Sequence, residues 1–329
     1  MSIKFVKSTP EYRKWDDAAK RREPYDVVLG KPTSASPRGS TYWKRVKRCP
    51  RELALYEGGL RRTNLFGDAI VVGLFYHLAL EHYYRSLQSG ATGDASEQAA
   101  WRSLVPFASA PGYEECYETI ERMLGAYFER WRENDTRDWI ILAVEETVEH
   151  ITDEMPWSGR FDLLIQRRST GMAWLVEHKS TGRITDDLLQ GYQMDLQIPG
   201  YSWLARRVID FEKLGAPYVG CIVNLATREK NPRLERLEVV PSKAHMAEFE
   251  MSLRAWESMR KTFGSLGHPK SYGHCIGAPR YFSRCDYFDV CYSHPESSVE
   301  RILSEEAPHG FVNTNLTGPV SSIDPDEAS

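Results

Sequence analysis

The sequence predicts an α/β protein: a mixed central sheet with helices on both faces. Two observations lead there. Along 329 residues, segments with apolar side chains at helical spacing alternate with short β-branched and apolar runs, in the order helix, helix, three strands, helix, two strands, helix. Within that series, residues 159–179 read as a hairpin. Gly159-Arg160-Phe161-Asp162 opens one apolar run and Val176-Glu177-His178-Lys179 closes the next, with Arg167, Arg168, Ser169, Thr170 and Gly171 as the turn between them.

Taken in order, residues 1–40 mix charge with Pro24, Pro32, Pro37 and a serine-rich tract, and predict an extended arm. Residues 41–51 form a basic and aromatic stretch. It reads either as an amphipathic helix with a solvated face or as a patch whose Lys44, Lys47, Arg48 and Arg51 contact a phosphate backbone. Residues 66–87 predict a helix with Ile70, Leu74, Leu78 and Tyr84 as its apolar stripe, and His77 and Glu81 one turn apart on a single face. A short helix near 95–104 and a long one over 113–132 follow, the latter striped by Tyr117, Ile120, Met123, Leu124 and Tyr127. Residues 139–151 predict a strand leading into the hairpin, with Glu145 in it as a looser acidic candidate. Residues 185–207 predict a helix that Pro199 kinks or interrupts. Strands at 217–227 and 234–240 and a helix over 242–263, capped by Ser242, complete the core. The expected layout is an arm over 1–40, one domain with a cysteine-containing C-terminal lobe over 41–303, and a disordered tail over 304–329.

Composition narrows the function. A hydrophobic content of 41% fills a sizeable core. A net charge of -4 and a pI near 6.2 exclude a globally basic nucleic-acid coat, so any DNA contact must be concentrated in one groove. No apolar run reaches the length of a membrane span, and Met1-Ser2-Ile3-Lys4-Phe5 lacks the apolar core of a signal peptide. The expected setting is cytoplasmic, and six cysteines are too few for a disulfide scaffold in a chain of this length.

The hairpin carries the chemistry. Asp162 interrupts its first strand, and Glu177 and Lys179 interrupt the second. Charges inside buried strands are costly unless paired or bound to a metal. Strand alternation sends Glu177 and Lys179 to one face and His178 to the other. Two carboxylates beside an ammonium could hold a divalent cation and a water molecule, the equipment of a metal-dependent phosphodiesterase.

These residues resemble the PD-(D/E)XK nuclease superfamily, and within it the RecB-like branch of phage-type recombination exonucleases and CRISPR-associated nucleases. Gly159-Arg160-Phe161-Asp162 is similar to the strand motif bearing the metal-binding aspartate, and Val176-Glu177-His178-Lys179 to the E-x-K motif. Residues Gln197 and Tyr201 resemble the Q-x-x-x-Y helix, and Gly73 through Glu81 the upstream helix that brings a histidine to the metal. The resemblance spans residues 41–292 and implies a restriction-endonuclease-like fold. It also implies a Mg²⁺ or Mn²⁺ site of His77, Asp162, Glu177 and the His178 carbonyl, with the imidazole tilting preference toward Mn²⁺. Lys179 would orient the attacking water, and Gln197 and Tyr201 would hold the scissile strand or the lysine.

Some RecB-like nucleases join their two ends through one upstream and three downstream cysteines around a [4Fe-4S] cluster. Cys49, Cys275, Cys285 and Cys291 are the corresponding candidates here, with zinc binding or simple burial as the competing readings; Cys116 and Cys221 fall on apolar stretches and read as core. The expected function is a metal-dependent deoxyribonuclease, an exonuclease of recombination or repair, acting on DNA with or without an annealing or recombination partner protein. The alternatives are a DNA-binding subunit of a recombination or spacer-acquisition complex with silent nuclease activity, or a hydrolase of RNA.

Overall fold

The computed structural model describes residues 38–62, 68–108, 112–271, 285–293, 298–304 and 306–313; residues 1–37 of the expected arm and 314–329 of the expected tail lie outside that set. In chain order the elements are α1 (Ser40–Arg48), α2 (Pro50–Glu57), β1 (Leu60–Arg62), α3 (Asp68–Gln88), α4 (Gly93–Leu104), α5 (Glu114–Asp138), β2 (Trp139–His150), β3 (Trp157–Arg167), β4 (Ala173–Thr181), α6 (Asp186–Gln193), α7 (Gln197–Val208), α8 (Phe211–Leu214), β5 (Tyr218–Thr227), β6 (Leu234–Val239), α9 (Lys243–Ser265), α10 (Phe288–Ser293), α11 (Val299–Ser304) and β7 (Phe311–Asn313). They divide into two compact units. Among the described residues, one holds 68–108, 112–152 and 157–250; the other holds 38–62, 153–156, 251–271, 285–293, 298–304 and 306–313.

The first unit holds the expected mixed sheet, five strands in the order β2-β3-β4-β5-β6. All neighbours are antiparallel except β4 and β5, which run parallel through a crossover containing α6 and α7. The β3–β4 ladder covers only Leu163↔Val176 to Gln166↔Ala173. Beyond it, β3 continues against β2 as far as Trp157↔His150, while β4 continues against β5 to Thr181↔Thr227. The two central strands therefore part, and the charged residues of the hairpin lie where they do.

The apolar stripe of α3 differs from the one expected. Ile70 is 47% exposed, and the buried set is Val71, Val72, Phe75, Tyr76, Ala79, Leu80, Tyr83 and Tyr84. The whole helix is rich in apolar residues, so two stripes fit helical spacing, and the larger, aromatic one wins the core. The face that Ile70 was expected to bury is the one that bears His77 and Glu81. Long helix α5 buries Ile120, Met123, Leu124, Tyr127 and Phe128, and carries the buried Asp135 in its last turn.

The segment 185–207 is two helices, so of the kink and the interruption expected at Pro199 the chain takes an interruption, a few residues earlier. The chain breaks at Met194, and α7 restarts at Gln197 with Pro199 in its first turn. A proline there lacks only an N–H that has no intrahelical partner anyway, whereas continuing α6 through it would clash with the preceding turn. The site side of α7 sits close to β3 because Gly200 has no side chain: a Cβ there would overlap the Trp157 indole. Helix α9 begins as expected, with the Ser242 Oγ accepting from His245 N at 3.1 Å.

The second unit has its own small core of Ala54, Leu55, Leu60, Tyr287, Val290, Val299, Ile302 and Phe311. The expectation of a disordered tail from residue 304 is corrected over its first part. Strand β7 pairs antiparallel with β1, Phe311 stacks on Tyr287 at 5.8 Å, and Asn313 Nδ2 donates to Leu303 O at 2.9 Å. An isolated Phe-Val-Asn in a polar stretch gives no periodicity, and only the partner strand makes it one.

Candidate metal and catalytic site

Where β3 and β4 part, side chains take over from backbone rungs. The Asp162 Oδ2 accepts from His178 N at 2.7 Å. In a strand the N–H and C=O of one residue point to the same edge, so the His178 carbonyl also faces the gap. His77 of α3 lies against it, with Nδ1 3.5 Å from Asp162 Oδ2 and its ring interacting with the His178 backbone.

On the other side, Lys179 Nζ donates to Glu177 Oε1 at 2.5 Å and to Gln197 Oε1 at 2.9 Å, and Gln197 Nε2 donates to the same Glu177 Oε1 at 2.7 Å. The three side chains close a triangle that fixes the amide orientation of Gln197. Glu177 is 3% exposed, and its second oxygen, Oε2, is buried with no hydrogen-bond partner. A buried carboxylate with one oxygen clamped and the other bare is suited to a cation. The Tyr201 hydroxyl donates to Arg160 O at 2.8 Å and interacts with Gln197, so it braces β3 beside the residue that holds Lys179.

Glu145 enters the site more firmly than the sequence suggested. It lies between the pairs Val144↔Leu163 and Glu146↔Phe161, opposite Asp162, after a register shift in β2. Its backbone has φ 49°, a left-handed conformation uncommon for glutamate and costly within a strand. Its side chain meets Arg160 Nε at 2.8 Å. Ligand atoms of His77, Glu145 and Asp162 all fall within 4.8 Å of one another. The nearby Glu81 is engaged by Arg85 at 2.8 Å.

The electrostatics follow from burial. Burial, reinforced by the Glu177 and Glu145 charges, pushes the Asp162 carboxyl well above its ordinary value against the pull of Lys179. Glu145 is pushed up to about 7, chiefly by burial, with Arg160 opposing and Glu81 and Glu177 adding to the rise. Burial works against the Lys179 ammonium, but Glu177 and Asp162 outweigh it and hold the charge on. Burial together with Lys179 and Arg160 lowers His77, which keeps its imidazole neutral and able to donate a lone pair.

The second unit carries the remaining candidates. Lys44 and Lys47 are exposed on α1, with Lys47 Nζ 4.7 Å over the Trp256 ring. Arg48 is held by Glu52, and Arg51, at 6% exposure, is withdrawn from the surface that a phosphate-facing strip of four cations requires. Cys49 is buried at the start of α2, while Cys285 and Cys291 are half-buried against the small core; Cys275 lies outside the described residues. Cys116 and Cys221 are buried, as expected.

A carboxyl whose pKa is higher folded than unfolded binds more protons in the folded state, so its contribution to stability shrinks as pH rises between the two values. For Glu145 that window runs from 4.5 to about 7. In chelator, wild type is expected to lose on the order of 3 kcal/mol relative to Glu145→Gln across it, followed by denaturant unfolding at each pH. A difference that stays flat or grows with pH contradicts the burial-driven shift.

Comparison with known proteins bears on this geometry. No curated protein matches the chain. Among solved structures it is similar to a provisionally named exonuclease from Eubacterium rectale, at 14% identity and a TM-score of 0.47, with 96% of this chain and 100% of that one covered. It is also similar to SSO0001, at 15% identity and a TM-score of 0.24, covering 62% and 82%. The model of the PD-(D/E)XK nuclease superfamily matches residues 41–292. With most of the chain matched and the charged hairpin at the fork of its central strands, the protein belongs to the PD-(D/E)XK nuclease superfamily.

Proposed function

We propose that the protein is a divalent-metal-dependent deoxyribonuclease, an exonuclease of recombination or repair. The observation that carries this reading is the state of Glu177: one oxygen is clamped by Lys179 and Gln197, and the other is buried and bare, with the Glu177 charge acting on Asp162. The donor set of carboxylate oxygens, a neutral imidazole and a backbone carbonyl fits Mg²⁺ or Mn²⁺. His77, Asp162, Glu177 and His178 would hold the ion, with Glu145 within 4.8 Å of the ligand atoms of His77 and Asp162. When bound, the ion offsets the negative charge of the phosphodiester and makes water a better nucleophile.

The chain's own groups do the rest. Lys179 stays charged beside the scissile phosphate, where it orients the attacking water and stabilises charge that builds up on the phosphoryl oxygens. Gln197 fixes the lysine, and Tyr201 keeps β3 in register with α7. Lys44 and Lys47 supply backbone contacts on α1. Among the described residues no helix is long and apolar enough to cross a membrane.

End-labelled linear and covalently closed circular DNA, incubated with Mg²⁺ or Mn²⁺, test the reading, with RNA of the same sequence as competitor. Wild type is expected to degrade linear DNA, to spare the closed circle and to stop in chelator. Asp162→Asn and Lys179→Met are each expected to lower the rate at least about 100-fold. Intact DNA with both metals sinks the enzyme reading, and nicking of the circle replaces exonuclease by endonuclease action.

The second unit is read as the seat of a [4Fe-4S] cluster on Cys49, Cys275, Cys285 and Cys291. Support comes from the placement of Cys49, Cys285 and Cys291 in one unit, the last two against a core that the residues after Cys49 help to build. Protein purified without oxygen should be brown and contain iron and acid-labile sulfide, both lost in Cys285→Ser. Colourless protein with stoichiometric zinc, or with no metal, overturns the assignment.

A further inference from the structure

A buried polar network behind the hairpin does no work in the chemistry above, yet it ends on the one residue that stands between Glu177 and Lys179. Asp135, at the end of α5, accepts from Arg236 of β6 at 2.6 and 2.8 Å. The guanidinium is sandwiched between Trp131 at 4.1 Å and Trp139 at 4.3 Å and is 12% exposed. Its Nε reaches Asn224 Oδ1 at 3.3 Å. Arginine has only donors, so this contact fixes the Asn224 amide with Nδ2 turned inward. Nδ2 then donates to both the Tyr127 hydroxyl and His178 Nδ1, each at 2.9 Å.

That assignment settles every proton. His178 Nδ1 accepts, so the ring is neutral with its hydrogen on Nε2. The Tyr127 hydroxyl also accepts from Arg236 at 3.1 Å, so it donates to Tyr84 at 2.5 Å, and Tyr84 donates to Asp135 at 2.8 Å. The Tyr84 ring stacks on the His178 imidazole at 5.6 Å and 19°. Asn224 is fully buried and His178 is 2% exposed. The His178 ring is thus held by one hydrogen bond at Nδ1 and by the Tyr84 stack, on the face opposite Glu177 and Lys179, while its Nε2 is buried without a hydrogen-bond partner.

The location gives the network a task. At His178 strand β4 has lost its rungs to β3, and its backbone N–H serves Asp162 instead. We infer that Asn224, oriented by the Asp135–Arg236 pair, is a positioning residue that anchors the His178 ring and so sets the backbone carbonyl and the flanking Glu177 and Lys179 for a divalent cation. This rests on the metal-site reading of the hairpin. A ring fixed from behind holds a carbonyl where no neighbouring strand does, and outer partners of this kind commonly change metal affinity roughly 10- to 100-fold when removed.

The test is Mn²⁺ binding to the full chain by calorimetry, without DNA, together with the kcat and KM for cleavage of linear DNA. Asn224→Leu keeps the volume and removes the donors; Asn224→Asp keeps a polar isostere if the leucine variant does not fold. His178→Phe keeps the ring stack and removes the hydrogen bond. Each folded single variant is expected to bind Mn²⁺ roughly 10- to 100-fold more weakly, with kcat lowered at saturating DNA and KM for DNA little changed. The double variant of Asn224 and His178 is expected to be no weaker than the worse single one, because one acts through the other. Wild-type Mn²⁺ affinity in the folded Asn224 variants, or full additivity in the double variant, overturns the inference. Asp162→Asn distinguishes the parent reading: if wild type itself binds no Mn²⁺, or Asp162→Asn binds it as well as wild type, the metal site fails and this inference with it.

Discussion

The hydrogen bond from the His178 N–H to the Asp162 carboxylate is the contact on which the rest of the first unit depends. It stands where a backbone rung between β3 and β4 would otherwise stand, and so lets the strands separate without leaving a buried donor unpaired. Near this gap the ligand atoms of His77, Glu145 and Asp162 gather within 4.8 Å of one another, and the Glu177 charge acts on Asp162. The parallel pairing of β4 with β5 and the antiparallel pairing of β3 with β2 hold the two sides of the gap firm. Function follows from a sheet whose central ladder stops short.

Burial then makes the gap electrostatically unfinished. Among the described residues, the cations acting on Asp162, Glu177 and Glu145 are Lys179, Arg160 and, more weakly, Arg85. Without a further positive charge, protons fill the deficit, which is why burial and mutual repulsion raise Asp162 and Glu145. A divalent cation would displace those protons, coupling its affinity to pH. The positive φ of Glu145 shows the same tension in the backbone, strain held in place by the register shift that sets this side chain opposite Asp162.

The sheet, the hairpin and the residues at its gap were legible because each has a short-range signal: alternation, a turn sequence, charges within apolar runs. The buried face of α3 is not legible in the sequence, because a helix apolar on nearly all sides gives two stripes of equal periodicity, and only the aromatic bulk of Phe75, Tyr76 and Tyr83 decides between them. Tyr201 was placed near the right element, but the partner of its hydroxyl, a main-chain carbonyl, has no sequence signature. Asp135, Asn224 and Arg236 were invisible for a related reason. They lie up to 101 positions apart, on a helix end and two strands, and each taken alone is an ordinary polar residue. Glu145 is visible as an acid within a strand, yet its weight comes from a register shift that no periodicity reveals.

The central claim is that the parted strands form a divalent-cation site on Asp162 and Glu177. Anomalous diffraction from crystals soaked in Mn²⁺ addresses it most directly. The expected result is one strong peak bounded by Asp162, the free Oε2 of Glu177, His77 and the His178 carbonyl. A map with no peak there, at a Mn²⁺ concentration that supports DNA cleavage, would contradict the account.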